Sequence, residues 1–184
     1  MGAVVAGIDV LSRLNARIAS LFRLMALILI AAMTASILIQ VLFRYALNRP
    51  IGWTEEFSIY SMIWMTFLVA PVAYRQGLNV AIEVLLDQLS RRGRAMLELL
   101  LTLLVLVLLG ALLYFSIIYS QRGLGSLASS LPVRMFWIYV SMPLGMGAML
   151  LVGMELLLRN IARLVDPDRA LPALSSPSAA MPPD

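Results

Sequence analysis

Four long intervals of this 184-residue chain carry no formal charge, and they leave it few folds to choose from. Residues 24–43 hold 20 residues between Arg23 and Arg44, and residues 57–74 hold 18 between Glu56 and Arg75. Residues 99–121 hold 23 between Glu98 and Arg122, and residues 135–154 hold 20 between Arg134 and Glu155. A hydrocarbon layer of ~30 Å needs about 20 apolar helical residues to cross it. The pattern therefore predicts an all-α integral membrane protein with four transmembrane helices. Their expected limits, with interfacial turns added, are about 24–43, 55–74, 97–121 and 135–157. These spans form one membrane domain over residues 1–165. The Pro-, Ala- and Ser-rich stretch 166–184 reads as a disordered cytoplasmic tail.

Composition narrows the function. The chain is 61% hydrophobic with a mean hydropathy of +0.92, outside the range of soluble domains. It has no cysteine and no histidine, which removes thiol chemistry, iron–sulfur ligation and the usual haem and zinc ligands. No cofactor and no enzymatic activity are expected. All 14 basic residues are arginine, scattered between apolar runs rather than gathered into a solvated patch. That distribution argues against nucleic acid as a partner and for membrane lipid. With the N-terminus inside, ten of the 14 arginines fall in inner segments, so both termini are expected in the cytoplasm. The first span then acts as an uncleaved anchor.

Two segments outside the spans are amphipathic. Over residues 8–22, Leu11, Leu14, Ile18 and Leu21 share one face, and Asp9, Arg13 and Arg17 lie opposite. We read this as an interfacial helix, although a cytoplasmic extension of the first span has the same pattern. A second interfacial helix is expected over residues 79–90, with Glu83, Asp87 and Arg91 opposite Ile82, Leu85 and Leu89. Within the first span, Ala32, Ser36, Gln40 and Arg44 recur every four residues, a stripe expected to face protein. Thr54, Ser58 and Ser61 form a matching polar line on the second span. Pro143 is expected to kink the fourth.

The densest polar passage is Arg44-Tyr45-Ala46-Leu47-Asn48-Arg49-Pro50-Ile51-Gly52-Trp53-Thr54-Glu55-Glu56, where the first two spans turn back on each other. Glu55 and Glu56 could serve as a cation or proton site. The preferred reading is structural: they pair with Arg44 or Arg49 across the turn and favour the positive end of the second helix. On that reading Arg44→Ala leaves a carboxylate unpaired and weakens helix packing. Glu155, four residues before Arg159, is read likewise as one half of an ion pair.

Arg44-Tyr45, Trp53, Glu55-Glu56, Trp64, Arg75 and the segment Asn79-Val80-Ala81-Ile82-Glu83 together resemble the small, DctQ-type membrane subunit of tripartite ATP-independent periplasmic (TRAP) transporters. Leu131-Pro132 and Pro143-Leu144-Gly145 resemble that family's outer loop and last helix. The resemblance covers roughly residues 20–160. The family often has His then Ile where Asn79-Val80 stand, and its Asp appears as Glu83, so no histidine-based proton role is open to this chain.

The resemblance implies an inner-membrane, multi-pass subunit that binds a large permease subunit. The large subunit carries solute and sodium sites and moves like an elevator, and a periplasmic binding protein delivers the solute, commonly an organic acid. The small subunit would enlarge the static scaffold, with the quoted residues in structural and assembly roles. Two rivals come from other classes. A self-contained four-helix exporter would need Glu98 or Glu155 as its proton-exchanging carboxylate. A membrane redox subunit would have to ligate haem without histidine or cysteine.

Overall fold

A computed structural model describes residues 2–49, 51–86 and 91–165. It contains α1 (Gly2–Tyr45), α2 (Trp53–Leu86), α3 (Arg91–Arg122), a 3₁₀ turn (Gly123–Gly125), α4 (Phe136–Tyr139) and α5 (Ser141–Val165). Among the described residues, four helical stretches are long and apolar enough to cross a membrane, α4 and α5 together making the fourth. Helices α1, α2 and α5 pack mutually, and α3 lies against α5. No strand occurs among the described residues; one isolated bridge joins Leu127 and Arg134 in the loop before α4.

Helix α1 corrects the reading of residues 8–22. They do not form a separate interfacial helix but continue into the first span as one helix of 44 residues, about 66 Å long. Apart from Ala26, its buried side chains recur every seven residues: Ile8, Asn15, Phe22, the half-buried Leu29, and Ser36. A repeat of seven keeps one seam facing its neighbours along the whole helix. Of the expected apolar face, Ile18 packs against the core and Leu11 is half-buried, while Leu14 and Leu21 are exposed. Residues 79–86 likewise continue α2, while 87–90 and the side chain of Glu83 lie outside the described residues. The tail 166–184 lies outside them too.

Between the ends of the bundle, Phe22, Leu68, Val72 and Ala148 form the buried core, with Ile18, Leu29 and Trp64 packed around it. Helices α2 and α5 come together through two residues that break ordinary helical rules. Pro71, inside α2, has no N–H, so the Phe67 carbonyl loses its helical partner. Gly145 of α5 packs directly on that carbonyl; a Cβ there would sit 2.6 Å from the Phe67 oxygen. Small residues allow such backbone approach in membranes. Pro143 falls in the first turn of α5, and the helix is interrupted at Val140, where α4 ends. The missing N–H and the ring's clash with the Tyr139 carbonyl account for a break at this place.

Candidate functional site

Buried polar side chains gather in two layers, one at each end of the spans. The end expected to face outward is built from hydroxyls. Thr54, fully buried in the first turn of α2, donates from Oγ1 to the Ile51 carbonyl at 2.9 Å. The Thr54 carbonyl accepts from Ser58 at 2.8 Å and, across the helix pair, from Ser36 at 3.4 Å. Ser36 thus faces protein, as does the half-buried Gln40, whereas Arg44 at the end of the same stripe is exposed.

The turn differs from the expected clasp. Asn48 adopts the left-handed backbone region (φ 51°), which asparagine tolerates, and the Arg49 N–H returns to the Phe43 carbonyl to close α1. Among the described residues, no ion pair joins Arg44 or Arg49 to Glu55 or Glu56. The reason is register. Ser36 is level with Thr54, so Arg44 stands about eight residues, roughly 12 Å, beyond the start of α2. Glu56 turns instead to the loop before α4. Its carboxylate accepts the backbone N–H groups of Ser129 (2.8 Å) and Ser130 (2.6 Å) and the Tyr60 hydroxyl. Pro132 is exposed on that same loop. Tyr45 is 80% exposed, and Trp53 makes an edge-on contact with Phe57 at 6.5 Å.

The opposite, inner end holds the charges. Glu155, fully buried on α5, accepts from Arg159 Nε (3.2 Å) and Nη2 (3.0 Å), and Arg75 Nη2 on α2 lies 3.7 Å away. Its second oxygen accepts from Asn15 Nδ2 on α1 at 2.7 Å. Arg75 and Arg159 each also reach Ser12 of α1 at 3.4 Å. One carboxylate therefore ties three helices together. The fourth joins nearby: Asn160 of α5 donates to Thr102 Oγ1 of α3 at 3.0 Å. In an apolar interior a carboxylate left unpaired is costly, so this arrangement is stable only while its partners remain.

Of the residues singled out by sequence, Arg75 lies in the inner layer, Glu56 in the loop latch and Trp64 against the core. Arg44, Tyr45, Trp53 and Glu55 stay on the surface. Sequence reasoning missed Ser12, Asn15 and Asn160. The signal for Asn15 was present: it is the polar member of the repeat of seven that runs from Ile8 to Ser36. Glu155, which an exporter would need free to exchange protons, is held by Asn15, Arg75 and Arg159. Among the described residues, no three potential metal ligands converge. The arrangement braces helices through contacts among its own buried polar groups, although Arg75 Nε and the hydroxyl of the neighbouring Tyr74 are buried without a hydrogen-bond partner among the described residues.

Residues 33–163 match the family described as tripartite ATP-independent periplasmic transporters, DctQ component. Over 106 residues the chain is 32% identical to a Haemophilus influenzae protein assigned as a TRAP transporter small permease protein, covering 56% of this chain and 66% of that one. Over 117 residues it is 29% identical to the sialic acid TRAP transporter small permease protein SiaQ of Vibrio cholerae, covering 64% and 68%. It is 28% identical over 138 residues to the ectoine TRAP transporter small permease protein TeaB of Halomonas elongata, covering 74% and 70%. The chain thus spans about two thirds of the length of the relatives it matches.

Proposed function

The chain belongs to the DctQ component family of TRAP transporters, a family of transporter membrane subunits rather than enzymes, and from that membership we propose how it works. It is a multi-pass protein of the bacterial inner membrane, and we infer that it braces a large permease subunit as a static scaffold. The large subunit carries the solute and sodium sites, and a periplasmic binding protein delivers the solute, an organic acid. Both termini lie in the cytoplasm, in keeping with the ten of 14 arginines on that side. Arg44, Tyr45, Trp53, Glu55, Glu56, Trp64, Arg75, Glu83, Pro132 and Pro143 have structural or assembly roles rather than contact with solute.

The observation that carries this reading is the inner layer. The buried Glu155 is held by partners from three helices of the same chain, which suits a rigid brace and leaves this carboxylate not poised for exchange. The test is reconstitution with the large subunit and the binding protein in vesicles under a sodium gradient. Uptake is expected only when both membrane subunits are present, and this chain should co-purify with the larger one. Solute uptake by this chain alone would overturn the proposal.

A further inference from the structure

The contacts between helices fix how far each charge-free stretch is displaced along the bundle. Ser36 is level with Thr54, and Ser12 with Arg75. The middle of the 57–74 stretch is therefore level with α1 residues near 24, whereas the middle of α1's own stretch lies about nine residues, roughly 14 Å, further outward. Gly145 meets Phe67 and Glu155 meets Arg75, so the stretch on α4 and α5 is level with that on α2. On α3, Leu106 faces Gly153, Tyr119 faces Tyr139, and Thr102 faces Asn160. These contacts put the middle of 99–121 about four or five residues, roughly 7 Å, toward the inner end.

The displacement is progressive: outward on α1, none on α2 and α5, inward on α3. The helices lie across the bundle in that same order. Exposed apolar side chains stand on both overhangs. Leu38 (64% exposed), Val41 and Leu42 extend beyond the start of α2 with no helix beside them. Met96 and Leu100 are exposed at the inner end of α3. Arg23, exposed on α1, is level with Phe67, halfway along the charge-free stretch of α2.

From this we infer that the bundle sits strongly tilted in the bilayer, its lipid-contacting band running obliquely from the outer end of α1 to the inner end of α3. An upright bundle would leave Arg23 facing hydrocarbon at mid-depth, a costly position for a charge. It would also put Leu38, Val41 and Leu42 in water on one side and Met96 on the other. Tilting returns Arg23 to the inner headgroups and buries both apolar overhangs in lipid. A displacement of roughly 20 Å across two helix spacings of about 9 Å each implies a tilt of roughly 45–50°, well above the ~20° average. The inference needs only the membrane placement and does not depend on the partner subunit.

Leu24 and Phe115 test it. Both are exposed, and the register puts them at the same height along the bundle axis. The chain has no cysteine, so Leu24→Cys and Phe115→Cys each give a single labelling site. Spin labels on the full chain, in vesicles of phosphatidylethanolamine and phosphatidylglycerol, report depth through collisions with oxygen and with a water-soluble nickel chelate. The Leu24 label is expected near the inner headgroups and the Phe115 label in the outer half, more than ~10 Å apart in depth. Equal depths would overturn the tilt and leave Arg23 to be neutralised by an acidic partner. Polarised infrared spectra of the unsubstituted chain in the same vesicles give a second reading. A mean helix tilt at or below the ~20° average overturns the inference as well.

Discussion

The two ends of the bundle solve the same problem with different chemistry. At the outer end, most buried polar groups are hydroxyls bonded to carbonyls near in sequence, such as Thr54 to Ile51 and Ser141 to Ile138. The exceptions are Ser36, bonded to the Thr54 carbonyl across the helix pair, and the Glu56 latch on the loop. Each of the local bonds contributes about 0.5–1.5 kcal/mol. At the inner end, one carboxylate is shared by Asn15, Arg75 and Arg159, with the Asn15 contact spanning 140 residues of chain. Long-range charged bonds fix which helices are neighbours, whereas local hydroxyl bonds only relieve polar groups where they stand. The outer end can therefore loosen locally, but loss of the inner layer separates three helices at once.

Substitutions at the two ends should differ in size accordingly. The largest effect is expected for Glu155→Ala, which leaves two arginines buried without their carboxylate and should cost about 3–5 kcal/mol. Thermal unfolding in detergent would read it as a marked fall in midpoint with loss of folded yield. Gly145→Ala comes next, because the new methyl must displace the Phe67 carbonyl; about 1–3 kcal/mol is expected in the same measurement. For Asn15→Ala, which removes one donor from Glu155, about 1–2 kcal/mol is expected, and a midpoint unchanged from the parent would show that α1 does not depend on this bond.

At the outer end, Glu56→Gln keeps the side chain's shape but weakens its two bonds to the loop. Faster hydrogen exchange at Ser129 and Ser130 should follow. Arg44→Ala is expected to be the mildest, within about 0.5 kcal/mol, since its exposed side chain has no ion-pair partner among the described residues. A large effect at Arg44 would contradict the register that separates it from Glu55 and Glu56.

Much of this architecture can be read from the sequence, for identifiable reasons. Four spans are legible because hydrocarbon excludes charge, and that requirement acts on each segment separately. The resemblance to the family is legible in compact runs such as Arg44 to Glu56, which can be seen without any fold. The pairing of Glu155 with Arg159 is legible because four residues make one helical turn. Its bonds to Arg75 and Asn15 are not, since they depend on how three helices align. The same limit explains the turn: Arg44 and Glu55 are close in sequence, yet α1 overshoots the start of α2 and carries Arg44 past it. Residues 8–22 misled because an amphipathic pattern is common to an interfacial helix and to a helix continuing along its neighbours. Only the spacing of seven from Ile8 through Asn15 and Phe22 to Ser36 distinguishes the second case.

The claim that the inner layer holds the helices together is tested most directly by a double-mutant cycle on Glu155 and Arg75. Thermal unfolding would be measured for the parent chain, Glu155→Gln, Arg75→Gln and the double variant. The residues touch across two helices, so the losses should fail to add, with a coupling of about 1 kcal/mol or more. Strictly additive losses, or stability unchanged in both single variants, would contradict the account.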